Sequence, residues 1–217
     1  MSHPLVIAYH LIWTAYGWWL PNDPRGSGST TVRSDVLAEL GELHYGRKRV
    51  QPAGRVVREF YEEAKVQLKH PLLTFDAAAR EVIADSFATT IAKQNYTCYA
   101  CVIMPDHVHM IVRKHRDTCE EMMDYFRSWS ARGLRAAGLR SSDHPVWSAG
   151  DGYSVFLDHP DDIWRTIPYI EKNPVLLGLP VQSYEFVKPY DNWPLHEGHS
   201  VNSPYVRALK AAGKYLR

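Results

Sequence analysis

Two apolar runs, 96–104 (YTCYACVIM) and 107–113 (HVHMIVR), are separated only by Pro105-Asp106, and this juxtaposition constrains the fold more than any other feature of the chain. Proline presets φ for the centre of a tight turn, and aspartate beside it favours the same geometry. The runs predict two strands joined as a hairpin. Successive strand residues point to opposite faces, and here both faces are largely apolar. Strands of that kind belong in the middle of a sheet with a layer packed on each side.

The flanking segments supply those layers. Residues 5–16, rich in β-branched and aromatic side chains, predict another central strand. Asp76 is placed to cap a helix reaching about Asn95, on which Ile83, Phe87 and Ile91 recur at i, i+4, i+8. Thr118 with Glu121 forms a capping box for a helix that Gly138 is placed to end. Its Met122, Phe126 and Trp129 line one face. Residues 153–157 predict a short strand, and His159-Pro160-Asp161-Asp162 starts a helix reaching Asn173, just before Pro174. Pro168 is expected to disturb that helix. The order strand, helix, hairpin, helix, strand, helix predicts an α+β protein with helices packed on an antiparallel sheet. A helical insertion spans 34–69, as two helices at 34–49 and 54–69, and the chain reads as irregular from 181 to 217.

Charge narrows the function classes. Lys plus Arg number 25 against 24 Asp plus Glu, a net charge of +1, so any basic nucleic-acid surface is local. Three cysteines make no disulfide framework, and a reducing cytoplasm is the expected compartment. The apolar stretch 5–20 is too short for a membrane span and reads as a buried strand.

His107 and His109 stand at i and i+2 on a strand and so offer two imidazoles on one face, enough to begin a divalent-metal site. With 11 histidines in 217 residues, about half an HxH pair arises by chance, so the spacing alone is weak. Cys98 and Cys101 have zinc-like spacing, but i and i+3 on a strand face opposite ways, which predicts small buried core residues. His196 and His199 read as surface residues. Tyr169 and Asn173 fall at i, i+4 and place a phenol and a carboxamide on one helix face. Residues 126–140 (FRSWSARGLRAAGLR) carry Arg127, Arg132 and Arg135 around Trp129 without an acid, a pattern open to two readings. It suits single-stranded nucleic acid, with arginines for phosphates and an aromatic ring for stacking. It also suits a solvated helix face with Trp129 in the core.

Taken together, these pieces resemble one family. CYACVIMPDHVHMIV is similar to the HUH motif of single-tyrosine transposases, YIEKNPVLLGL resembles their catalytic helix, and VWSAGDGYSVFL and FRSWSARGL resemble the strand region and basic helix between. AYHLIWTAYGWWLPNDPRG looks like the first strand of one branch. The likeness runs from about Val6 to Leu179 and is nearest to REP-associated tyrosine transposases. It implies a ferredoxin-like HUH endonuclease fold over residues 1–180. It also implies His107, His109 and Asn173 as ligands of Mg²⁺ or Mn²⁺, and Tyr169 as the nucleophile. Tyr125 is the rival nucleophile. The implied activity is cleavage and transfer of single-stranded DNA next to hairpins, such as repetitive extragenic palindromes, through a 5′-phosphotyrosine. A monomer is expected. The alternatives are a regulator that binds structured nucleic acid without cutting it and a hydrolytic metallonuclease.

Overall fold

The structure is a computed structural model and describes residues 5–27, 49–150, 152–194, 202–211 and 213. Four strands form one antiparallel sheet: β1 (Ala8–Thr14), β2 (Cys98–Ile103), β3 (His107–Arg113) and β4 (Tyr153–Leu157). Their order is β2-β3-β1-β4. The hairpin turn is the expected one, with the Met104 amide donating to the His107 carbonyl at 2.8 Å.

Strand alternation sorts the side chains into two layers. Tyr9, Leu11 and Trp13 of β1 join Val108, Met110 and Val112 of β3 on one face. Two helices cover that face, α2 (Ala77–Gln94) and α3 (Cys119–Ala136). Asp76 caps α2 by accepting from the Ala79 amide at 2.8 Å, and Ile83, Phe87 and Ile91 are its buried stripe. The Thr118–Glu121 capping box starts α3. Gly138 at φ +70° ends it, with the Leu139 amide donating to the Leu134 carbonyl at 2.9 Å. Trp13 sits between Phe87 and Phe126, its ring centroid 5.7 and 6.0 Å from theirs. The other face holds Ala8 and Ile111, and α4 (Pro160–Leu176) brings Ile163 and Ile170 down onto it. The protein is thus α+β, with the sheet between two helical layers.

Three expectations are corrected. First, β2 is an edge strand, not a middle one. Its outer edge is covered by the chain after α4. Gln182 accepts from the Ile103 amide at 2.8 Å and donates to the Ile103 carbonyl at 2.9 Å, and the Lys188 amide donates to the Cys98 carbonyl at 2.8 Å. This cover satisfies the edge and explains why every β2 residue is buried. Second, Cys98 and Cys101 share one face. A bulge between Cys98 and Ala100 slips the alternation by one residue, so both thiols enter the same core. Burial pushes both thiols up, as fits inert core residues. Third, the stretch 181–217 contains a helix, α5 (Pro204–Ala211). Ser203 caps it through the Val206 amide at 3.2 Å, and its Tyr205 and Val206 are buried in the second layer.

Of the two helices expected over 34–69, that at 54–69 is α1 (Gly54–Gln67). The one at 34–49 lies outside the described residues apart from Arg49. Phe60, Tyr61 and Ala64 of α1 pack with Leu20. Among the described residues, no helix is long and apolar enough to cross a membrane.

Candidate active site

The pairing register builds the site. On β1 and β3, Ile12 lies opposite His109 and Thr14 opposite His107, while His10 lies opposite Ile111. His10, His107 and His109 therefore share the sheet face that α4 covers. The rings of His107 and His109 are 4.8 Å apart, and those of His10 and His109 are 5.1 Å apart. His10 Nε2 meets His109 Nδ1 at 2.9 Å. His107 Nδ1 meets Asp106 Oδ1 at 2.6 Å.

Burial pushes the His10 imidazole down to about 4, so the ring is neutral near pH 7. Burial by itself would raise the Asp106 carboxyl. The hydrogen bond and charge of His107, with the Arg25 guanidinium, outweigh it and hold that carboxyl below the ordinary carboxylate range. The two motif histidines thus each use Nδ1 on an outer partner. In metal sites such partners orient the ligand ring and favour coordination through Nε2.

Tyr169 comes to the histidines on α4. That helix starts where the sequence predicts, with Pro160 in its first turn and His159 Nδ1 accepting from the Asp161 amide at 3.1 Å. Ile163 and Ile170 anchor the buried face, which leaves Tyr169, the neighbour of Ile170, at the side of the helix. Its ring is 48% exposed and stands edge-on, 6.0 Å from His109 and 6.3 Å from His10. Among the described residues, no side chain holds its hydroxyl.

The helix does not end at Asn173; it continues through Pro174 to Leu176. Proline has no N–H, so Pro174 cannot donate to the Ile170 carbonyl one turn back. The Asn173 carboxamide takes over that task, its Nδ2 donating to Ile170 O at 3.3 Å and Tyr169 O at 2.9 Å. Pro168 likewise lies inside a continuous helix.

The other candidates sit elsewhere. Tyr125, Arg127, Trp129, Arg132 and Arg135 all belong to α3, on the far side of the sheet from the histidines. Arg127 donates Nη1 to the Gly150 carbonyl at 2.7 Å, and its side chain is only 13% exposed. Arg132 and Arg135 are exposed. Trp129 is half-buried outside the core, with Lys93 Nζ 3.9 Å and Arg132 Cζ 4.2 Å from its ring centroid. His196 and His199 lie outside the described residues. Among the described residues, no group of three or more His, Cys, Asp or Glu is set to hold a metal ion.

Two features escaped the sequence reading. In the sequence His10 is a single histidine within an apolar run, and only the register places it against His109. The loop 17–27 leaves β1 at the His107 end of the sheet, as the Ala15 amide donates to the Asp106 carbonyl at 2.8 Å. Asp23 is fully buried in that loop, paired with Arg25 at 2.7 Å, and Tyr61 of α1 donates to it at 2.5 Å. The Tyr61 oxygen also accepts from the Trp19 amide at 2.8 Å and from Arg25 Nη2 at 3.0 Å. The Arg25 guanidinium lies 3.9 Å from the centroid of the Trp19 ring.

No protein-family model matches the sequence, and no curated protein matches it. Among solved structures, the chain is similar to a REP-associated tyrosine transposase bound to a REP hairpin. The identity is 13% and the TM-score 0.43, over 100% of this chain and 87% of that one. It is also similar to a proposed transposase from Deinococcus radiodurans R1, at 13% identity and a TM-score of 0.35, over 79% of this chain and 94% of that one.

Proposed function

We propose that this chain is a metal-dependent single-stranded DNA endonuclease and strand transferase, cutting next to DNA hairpins through a 5′-phosphotyrosine. The observation that carries the reading is the meeting of a half-exposed tyrosine with a histidine pair. Tyr169 approaches His109 from a helix, and His107 and His109 rise together from the sheet beneath. Two imidazoles with held Nδ1 atoms fit a divalent ion. His107 and His109 would hold Mg²⁺ or Mn²⁺, with the Asn173 oxygen as the third ligand. Such an ion, when bound, neutralises charge on the scissile phosphate.

The residues of the chain do the rest. The Tyr169 oxygen attacks phosphorus and forms the Tyr–phosphate ester. The bond from phosphorus to the 3′ oxygen breaks, and that oxygen takes up the proton that the phenol gives to solvent or a base. A phenol loses its proton unaided only near pH 10, so ionisation has to be assisted at the site. The ester keeps the energy of the broken bond, and the reverse step joins the 5′ phosphate to another 3′ hydroxyl. A phosphate in a stacked duplex is hard to align with a tyrosine on a helix face, which favours a single strand at the cut. Arg132, Arg135 and Trp129 offer a further DNA-contacting surface on the opposite layer. Arg127, tied to Gly150, contributes to the fold there.

A denaturing gel tests this. Labelled single-stranded hairpin DNA from around the protein's own gene is mixed with wild type, Tyr169→Phe and Tyr125→Phe, in Mn²⁺ or in EDTA. A metal-dependent covalent adduct that only Tyr169→Phe abolishes is the expected result. The second reading, a binder that does not cut, is favoured by the lack, among the described residues, of a group of three His, Cys, Asp or Glu set to hold a metal ion. It predicts hairpin binding unchanged in EDTA and no adduct with any variant.

A further inference from the structure

A histidine on an apolar sheet face, hydrogen-bonded to a second histidine, is not accounted for by packing, since an apolar residue would serve that better. His10 is 5% exposed, and its partners across the sheet are Ile111 on β3 and Val155 on β4. Its Nε2 contacts His109 Nδ1 at 2.9 Å. The geometry alone carries two arrangements: when each ring holds a single proton, that contact contains one of them, and there are two ways to place it. If His10 donates, His109 carries its own proton on Nε2 and has no lone pair there for a metal. If His109 donates from Nδ1, its Nε2 keeps the lone pair. His107 reaches the second state by another route. The Asp106 carboxylate 2.6 Å away only accepts, so His107 Nδ1 carries the proton.

We propose that His10 is a positioning residue for the metal site: its Nε2 accepts the Nδ1 proton of His109 and fixes the tautomer in which His109 Nε2 is the ligand. This rests on the metal-dependent reading above. The two histidines of one motif then take their orientation from two separate parts of the fold. The hairpin turn holds His107 through Asp106, and the neighbouring strand holds His109 through His10. An apolar residue at position 10 would take away the acceptor that His10 offers to the His109 Nδ1 proton and release the ring to the other tautomer. Loss of an outer partner of this kind weakens metal binding about 10- to 100-fold.

The test uses full-length, metal-free protein labelled with ¹⁵N-histidine, compared as wild type, His10→Gln and His10→Phe. Long-range ¹H–¹⁵N spectra show which nitrogen of His109 carries the proton, the His109 signals being assigned by their loss in His109→Gln. Calorimetry with Mn²⁺ alone gives affinity. The expected result is a proton on His109 Nδ1 in wild type and in His10→Gln, whose side-chain oxygen still accepts. His10→Phe should show mixed tautomers and bind Mn²⁺ about 10- to 100-fold more weakly. A wild-type His109 protonated on Nε2 overturns the proposal, as does a His10→Phe protein with wild-type tautomer and affinity. If wild type binds no Mn²⁺ at all, the metal reading falls and takes the role of His10 with it. Mn²⁺ binding that is indifferent to position 10 removes the role of His10 alone. Should His10→Phe fail to fold, the wild-type tautomer and His10→Gln still decide.

Discussion

Asn173 has two possible tasks, and a double-mutant cycle separates them. Its Nδ2 donates to Tyr169 O at 2.9 Å and to Ile170 O at 3.3 Å, and Pro174 is the reason that Ile170 O needs a donor. The Tyr169 carbonyl is also within reach of the Asn173 backbone amide in a regular helix, so losing the side chain there matters little. The Ile170 carbonyl has no such second donor. Replacing Asn173 by Ala should cost about 1 kcal/mol, the net worth of one hydrogen bond to a partly buried carbonyl. In a Pro174→Ala background the residue at 174 has an N–H and satisfies Ile170 O itself. There the same replacement should cost less than about 0.5 kcal/mol, leaving a coupling of about 0.5–1 kcal/mol. The cycle cancels the packing lost with Pro174, a buried residue, and the better helix propensity of alanine. Urea unfolding measures each corner, with equal slopes required before midpoints are compared. Equal costs of Asn173→Ala in both backgrounds would refute the account of the helix. Mn²⁺ affinity measured on the same four proteins then isolates ligation: if Asn173 is also a ligand, its loss weakens binding in both backgrounds.

The metal reading predicts that Mn²⁺ raises the melting temperature of wild type and that EDTA reverses the rise, while His107→Ala and His109→Ala show no shift at the same Mn²⁺ concentration. Arg132→Ala and Arg135→Ala should each weaken hairpin binding and reduce the slope of log affinity against log salt by about one, whereas Arg127→Ala should lower the unfolding midpoint by freeing the Gly150 carbonyl. Salt-independent binding in the first pair removes them from the interface. Gly152→Ala should destabilise by at least about 2 kcal/mol. Gly152 has φ +73°, and an added Cβ would stand 2.8 Å from Ile12 O and 2.9 Å from Met123 Sδ. Thermal unfolding near the wild-type temperature would contradict this.

Local chemistry made much of the frame legible. The hairpin, the Asp76 cap, the Thr118–Glu121 box and the Ile83–Phe87–Ile91 stripe are each decided within a few residues of sequence. The features misread are decided across the chain. That β2 is an edge strand yet has its outer edge covered depends on Gln182 and Lys188, more than 75 residues downstream, and a segment that covers an edge leaves no periodic trace in sequence. The bulge at Cys98 follows from pairing with β3, not from anything in the run CYACVI itself. His10 and His109 are separated by 99 positions and meet only because β1 and β3 pair in one register. The continuation of α4 past Pro174 is hidden because proline normally ends a helix, and nothing in the local sequence marks Asn173 as the donor that offsets it. Tyr169 and Asn173 were visible as an i, i+4 pair, but only the packing of Ile163 and Ile170 decides which side of the helix faces the histidines.

The Tyr61 hydroxyl bears on how α1 relates to the rest of the protein. One oxygen joins the Trp19 amide, the Arg25 guanidinium and the Asp23 carboxylate, all in the loop that leaves β1 beside His107. An insertion that merely bulged from the surface could be trimmed back to a short connection with little effect. Here trimming would take a hydrogen bond from a carboxylate that has no exposure to water and would uncover Leu20 as well. Helix α1 and the first loop therefore have to change together. A shorter relative lacking α1 should also lack the buried acid at the position of Asp23, or carry a second donor to replace the tyrosine.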